Sequence, residues 1–303
     1  MTTSSIFLSN LLWFGQPYLV YPSAFLPRPR LIKSPEELGL SYSDLRLMTS
    51  DGAVLHCYLL RHEEQSSLHY EAEDGSDGRA LGTVIMFHGN GSNYGDGIYA
   101  ASKLLAMRVN VLMLSYRGYG RSEGIPSEIG LRLDAQAALD YVGSDTELSA
   151  RPTILYGTSL GGAVAIDLAS RNPSMVSALM IENTFTSIAD VVHGLPLLGP
   201  FSFLCTQKWE SAAKVPLIPR TTPILMLSGT RDEVVPKAHM EALWAVAQRR
   251  GRGDNPNSES ELDGTTHDRF ESFANGLHCD TITCPGYWDK IGEFLGSVTG
   301  PRG

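Results

Sequence analysis

The chain has 303 residues, 43% of them hydrophobic and 19% charged, with a formal net charge of −9. That composition supplies a sizeable core and argues against wholesale disorder. Its Lys and Arg residues are scattered, so no basic face exists to neutralise phosphates, which argues against nucleic acid as a partner. Four cysteines, Cys57, Cys205, Cys279 and Cys284, show neither CxxC spacing nor the density of a disulfide scaffold.

Residues 1–35 read as an apolar and aromatic N-terminal segment. Its run from Ile6 to Leu26 is broken by Pro17 and Pro22, which makes a poor spanning helix. It lacks the early positive charge and small-residue cleavage site of a signal peptide. Trp and Tyr followed by Arg28, Arg30 and Lys33 suit a membrane headgroup boundary, but the segment suits packing against the domain equally well, so both readings stay open. The expected location is correspondingly membrane-associated or cytoplasmic.

The rest, residues 36–303, reads as one domain. Tyr42 to Met48, the Asp51-Gly52 turn and Ala53 to Arg61 predict a β-hairpin. His62 to Arg79 is an acidic, polar loop. Short apolar runs then alternate with helical patterns. Strands are expected at Thr83–Phe87, Val109–Ser115, Thr153–Tyr156, Ala178–Ile181 and Ile224–Leu227, with a final strand at Arg269 to Ala274. Helices are expected at Tyr99–Met107, Glu128–Val142, Leu160–Ser170, Pro236–Gln248 and Trp288–Leu295. This alternation predicts an α/β fold, a mostly parallel sheet with an N-terminal hairpin and helices on both faces. Residues 183–220 lack strand pattern and read as a small cap, whose Leu and Phe residues either line a lid over an acyl-binding groove or merely cover the sheet edge. Arg249 to Asp268 is a polar insertion.

Gly157-Thr158-Ser159-Leu160-Gly161 matches G-x-S-x-G between an apolar strand and a helix. That setting is what a nucleophile elbow requires, because the serine must sit in a tight, strained turn that only small neighbours permit. A serine hydroxyl needs a base, and the base needs an orienting acid, in the chain order Ser, Asp or Glu, His. His278, on the loop after the final strand, is the expected base; His239 and His267 read as surface residues. Asp232, in the glycine turn after Ile224–Leu227, is the expected acid. Glu182 is its rival and otherwise orders the cap entrance, while Asp280 braces the histidine loop. Backbone amides of Leu160 and of Asn90, in Phe87-His88-Gly89-Asn90-Gly91, are the expected oxyanion donors, with His88 a brace. Tyr116 to Ser122 reads as knitting loops below the cleft, with Ser122 idle. No zinc spacing, P-loop or dinucleotide fingerprint appears, and this chemistry calls for no cofactor or metal.

The motifs His88-Gly89-Asn90-Gly91, Tyr116-Arg117-Gly118-Tyr119-Gly120, Gly157 to Gly162, Glu182-Asn183-Thr184-Phe185, Pro196 to Pro200 and His278 to Trp288 together resemble the alpha/beta hydrolase group that holds the fungal bud-emergence (Bem) proteins and alpha/beta hydrolase domain-containing protein 13. Where relatives read His-Asn-Asp-Thr, this chain has His278-Cys279-Asp280-Thr281, and its N-terminus is shorter than their usual anchor. The resemblance implies a membrane-associated serine hydrolase of the alpha/beta hydrolase fold, with removal of acyl groups from S-acylated protein proposed for nearby members. The expected activity is cleavage of carboxylic esters or thioesters through an acyl-enzyme. A serine aminopeptidase-like hydrolase and a non-catalytic interaction scaffold are the alternatives.

Overall fold

The computed structural model describes residues 15–25, 32–62, 78–197, 199–251 and 267–300. Eight strands form one sheet: β1 (Ser43–Met48), β2 (Val54–Leu60), β3 (Gly82–Phe87), β4 (Val109–Leu114), β5 (Thr153–Thr158), β6 (Ala178–Glu182), β7 (Ile224–Gly229) and β8 (Arg269–Phe273). Their order is β1-β2-β4-β3-β5-β6-β7-β8. The hairpin β1–β2 is antiparallel and meets β4 antiparallel, while β4 through β8 run parallel. Every residue of β4, β6 and β7 is buried, as expected of strands covered on both faces.

Period-two alternation divides that apolar content between two cores. On one face Val109, Val111 and Met113 meet α2 (Ile98–Ala106) and α8 (Tyr287–Thr299). On the other, Leu112 and Leu114 meet α3 (Glu128–Ser144), α4 (Leu160–Arg171) and α7 (Ala238–Ala247). The Ser127 side chain caps α3 by accepting from the Gly130 amide at 3.0 Å. Arg117 joins the hairpin to α3, donating to Asp51 at 2.7 and 2.9 Å and to Asp134 at 2.9 Å. Ser122, fully buried, accepts from the His56 amide and donates to the Ser115 carbonyl, so the Tyr116–Ser122 loop does tie hairpin to sheet.

Between β6 and β7 the chain forms α5 (Ile188–His193), a 3-10 turn at Gly199–Leu204, α6 (Ser211–Lys214) and a 3-10 turn at Val215–Leu217. Of the expected N-terminal segment, residues 1–14 and 26–31 lie outside the described residues, as do 63–77 of the acidic loop and 252–266 of the polar insertion. What is described of the N-terminus, α1 (Gln16–Val20) and a turn at Pro22–Phe25, docks on the protein. Gln16 donates to the Leu204 carbonyl at 2.7 Å and accepts from the Thr206 amide at 2.6 Å. Tyr21 is fully buried, and its hydroxyl accepts from Trp209 Nε1 at 2.8 Å. No helix among the described residues is long and apolar enough to cross a membrane.

The apolar residues of the insertion divide between surface and core. Leu195, Leu197, Phe201 and Phe203 are exposed, whereas Phe185, Trp209, Val215 and Ile218 pack into the core.

Candidate active site

Thr158 ends β5 and Leu160 begins α4, so Ser159 must reverse the chain within one residue. It does so at φ +55°, a left-handed conformation that costs a non-glycine residue about 1–3 kcal/mol. The flanking glycines permit the close approach this turn needs. A Cβ on Gly157 would lie 2.1 Å from the Gly161 carbonyl oxygen, and one on Gly161 would lie 2.0 Å from that of Phe87. Leu160 is the first residue of α4, where an N–H has no intrahelical acceptor.

Three loops at the carboxyl ends of the parallel strands bring the expected side chains together. Ser159 Oγ lies 3.0 Å from His278 Nε2, and His278 Nδ1 lies 2.7 Å from Asp232 Oδ2. The Asp232 side chain is 1% exposed and that of His278 10%, so the pair is shielded from competing water. Asp232 Oδ1 accepts from the amides of Val234 at 2.8 Å and Val235 at 2.7 Å, which fixes the carboxylate in rotation. Asp280 accepts from the Leu277 amide at 2.7 Å, bracing the histidine loop. Glu233, absent from the sequence reading, accepts from the His278 amide at 3.2 Å.

Asn90 lies beside this group. A Cβ on its neighbour Gly89 would sit 3.6 Å from that of Ser159. The Asn90 side chain donates to the Val20 carbonyl at 2.7 Å and accepts from the Tyr119 hydroxyl, so the N-terminal segment and the Tyr116–Ser122 loop both hold this turn. His88 packs its ring against Tyr116 and Tyr119, at 4.3 and 5.2 Å between centroids.

Two expectations need correction. Glu182 does not order the insertion. Alternation along β6 turns its side chain toward the α8 face, where it accepts from Tyr156 and Tyr287 hydroxyls, each at 2.8 Å, and from Thr158 at 3.3 Å. Burial raises its carboxyl above the usual range, offset in part by those hydroxyls. His239 is not a surface residue: it is half-buried, with Nδ1 2.9 Å from the Thr186 hydroxyl, and desolvation lowers its pKa. His267 is exposed. A cavity of about 310 Å³ lined by Arg79, Asn110, Glu147 and Arg151 lies at the opposite ends of the strands and takes no part in this group.

A mostly parallel eight-stranded sheet, with a strained serine at its central strand-to-helix turn facing a histidine and an aspartate on later loops, defines an alpha/beta hydrolase. Solved structures agree on the fold. An esterase of Pyrococcus furiosus superposes with a TM-score of 0.68 at 21% identity, covering 90% of this chain and 97% of its own. An alpha-beta hydrolase of Vibrio vulnificus gives 0.66 at 19% identity, over 97% and 94%. The family model described as "Serine aminopeptidase, S33" matches residues 78–214. Among curated proteins, Protein bem46 of Schizosaccharomyces pombe is 35% identical over 94% of this chain and 87% of its own length. An uncharacterized membrane protein of Saccharomyces cerevisiae is 35% identical over 97% and 93%, and the alpha/beta hydrolase domain-containing protein WAV2 of Arabidopsis thaliana 34% over 88% and 84%. The chain belongs to the bem46-like family of alpha/beta hydrolases.

Proposed function

We propose that the protein is a serine hydrolase that cleaves carboxylic esters or thioesters through an acyl-enzyme on Ser159. The observation that carries this reading is the continuous contact from Ser159 Oγ through His278 to Asp232, at 3.0 and 2.7 Å. His278 Nε2 takes the hydroxyl proton as Oγ attacks the acyl carbon. The amides of Leu160 and Asn90 hold the oxyanion, each contributing about 3 kcal/mol. His278 returns the proton to the departing alcohol or thiol, and water, deprotonated by the same base, releases the acid. Asp232 keeps Nδ1 protonated and Nε2 free to accept. None of these steps needs a cofactor.

The substrate reading is a long-chain acyl group, including the thioester of an S-acylated protein, presented at a membrane surface. Exposed Leu197 and Phe203 on the insertion and exposed Leu19 on α1 support it, because Gln16 binds α1 to the insertion beside the cleft. A serine aminopeptidase activity is the second reading, favoured by the description of the matching family model and by the Glu233 carboxylate at the His278 amide.

Initial rates on p-nitrophenyl esters of increasing chain length, an S-palmitoyl peptide and an aminoacyl p-nitroanilide, with and without phosphatidylcholine vesicles, test these readings. Ser159→Ala is expected to abolish all turnover. Preference for long esters that rises with vesicles supports the acyl reading, and turnover of the anilide alone supports the peptidase. Failure of the wild type to react with every substrate and with a fluorophosphonate probe would leave an interaction scaffold on a hydrolase fold.

A further inference from the structure

The three proposed catalytic side chains stand on loops from different strands, and their own contacts tie only some of those loops together. Arg231 donates to the Gly276 carbonyl and His278 to Glu233, which join the acid and histidine loops to each other. The elbow is joined instead to the end of β6. Ser159 donates through its amide to the Glu182 carbonyl at 2.9 Å, and the Thr184 hydroxyl donates to the Ser159 carbonyl at 2.7 Å.

Asn183 lies between those two anchors. It is 1% exposed and holds φ +45°, a conformation that asparagine adopts more readily than other non-glycine residues. Its Nδ2 lies 3.2 Å from the Leu277 carbonyl, 3.2 Å from the His278 carbonyl and 2.9 Å from the Thr281 hydroxyl. Its Oδ1 accepts from the Gly229 amide, at the start of the acid loop, at 2.8 Å. The Gly229 donor fixes which amide atom is oxygen, so both hydrogens of Nδ2 are directed at the histidine loop. Few side chains can replace it. An aspartate keeps the acceptor and loses both donors, and a leucine leaves the Gly229 amide without this acceptor and the histidine loop without these donors.

We infer that Asn183 is the positioning residue that sets the His278 and Asp232 loops in register with the strand end carrying the Ser159 elbow. The inference rests on the proposed role of Ser159. Without the amide, the histidine and acid loops remain bound to each other but lose their side-chain link to β6. The Nε2 to Oγ distance is then free to open, and a shift of about 1 Å at a reacting group costs on the order of 10²-fold in rate.

The test uses the full chain and three variants, with p-nitrophenyl butyrate as substrate. Asn183→Gly accepts φ +45° without strain and removes only the amide. Its kcat/KM per folded molecule is expected to fall about 10²-fold. The low-field proton resonance of His278 Nδ1–H bonded to Asp232 is expected to broaden or move. A residue that only supported folding would lower the unfolding midpoint and leave both readouts unchanged. Thr281→Val removes one acceptor of that amide, together with the hydroxyl's own bond to the Leu277 carbonyl, at a fully buried site with little change of volume, and a loss of about tenfold is expected. The double variant is expected to lose no more than Asn183→Gly alone, because both changes break one network. If Asn183→Gly does not fold, Thr281→Val decides by the same two readouts. Rates within about threefold of wild type, or losses that multiply, overturn the inference while Ser159→Ala remains inactive. Activity surviving in Ser159→Ala overturns the serine reading itself and this inference with it.

Discussion

Asparagine in place of Asp232 changes one atom, and the surroundings dictate the consequence. Oδ1 of Asp232 accepts from two backbone amides, Val234 and Val235, at 2.8 and 2.7 Å, while Oδ2 faces His278 Nδ1 at 2.7 Å. In Asp232→Asn the amide oxygen must take the position of Oδ1, because an NH2 there would point donors at donors. The NH2 is thereby aimed at Nδ1, which must become an acceptor, and the imidazole proton moves to Nε2. Nε2–H then donates to Ser159 Oγ across the same 3.0 Å instead of accepting its proton. The expected loss in kcat/KM is about 10⁴-fold, or about 5 kcal/mol of transition-state stabilisation. Both amide bonds survive, so the thermal midpoint should stay near that of the wild type. Steady-state hydrolysis of p-nitrophenyl butyrate beside a thermal melt measures both. A folded Asp232→Asn variant within about tenfold of wild-type rate would refute the assignment of Asp232 as acid.

Gly161→Ala places a Cβ 2.0 Å from the Phe87 carbonyl oxygen and 2.6 Å from its carbon, backbone atoms that cannot rotate away. The start of α4 must then part from β3, with a loss of about 1–3 kcal/mol of stability in urea unfolding and about 10²-fold in rate. A variant unchanged in both would mean the elbow is less tightly packed than described. Glu182→Gln tests the buried carboxyl. Because burial raises its native pKa above the unfolded value, the native state holds a proton that the unfolded chain has released. That contribution to stability is full below the unfolded pKa and is lost as pH rises through the native one. The melting temperature of Glu182→Gln relative to wild type is therefore expected to climb as pH is raised from 4 to 8, with turnover retained. A flat or falling difference would refute the sign.

Local pattern carried a large part of this architecture. The parallel strands are short apolar runs, the elbow is a glycine-bounded serine between strand and helix, and His278 follows from chain order. The contacts between distant segments were harder to see. Gln16 with Leu204, Tyr21 with Trp209 and Asn90 with Val20 each join segments more than sixty residues apart, and the sheet order that brings them together leaves no local trace. Asn183 stood in the sequence as part of a recognisable motif, but its role depends on what β7 and the histidine loop present to it. The direction of Glu182 was open to inference, since alternation along β6 places it with Met180 on the α8 face. The outward aim of Phe201 and Phe203 was not, because apolar content alone does not distinguish a lid from an exposed face.

That outward face constrains how the proposed substrate would arrive. With a formal net charge of −9, the chain gains no general attraction to anionic headgroups, so membrane contact through this face would rest on apolar insertion. Leu197 and Phe203 are 86% and 78% exposed, and burying such a side chain contributes about 1.5–3 kcal/mol. Two or three of them give reversible binding of the strength of a single lipid chain, which salt would not release. Reversible contact is what an enzyme needs if it draws acyl groups from a surface and must let go of the product. On this reading α1 has a second task beyond packing. Through Val20 and Asn90 it joins the exposed face to the turn proposed to hold the oxyanion, so the segment that touches lipid also supports the amide that would stabilise the transition state.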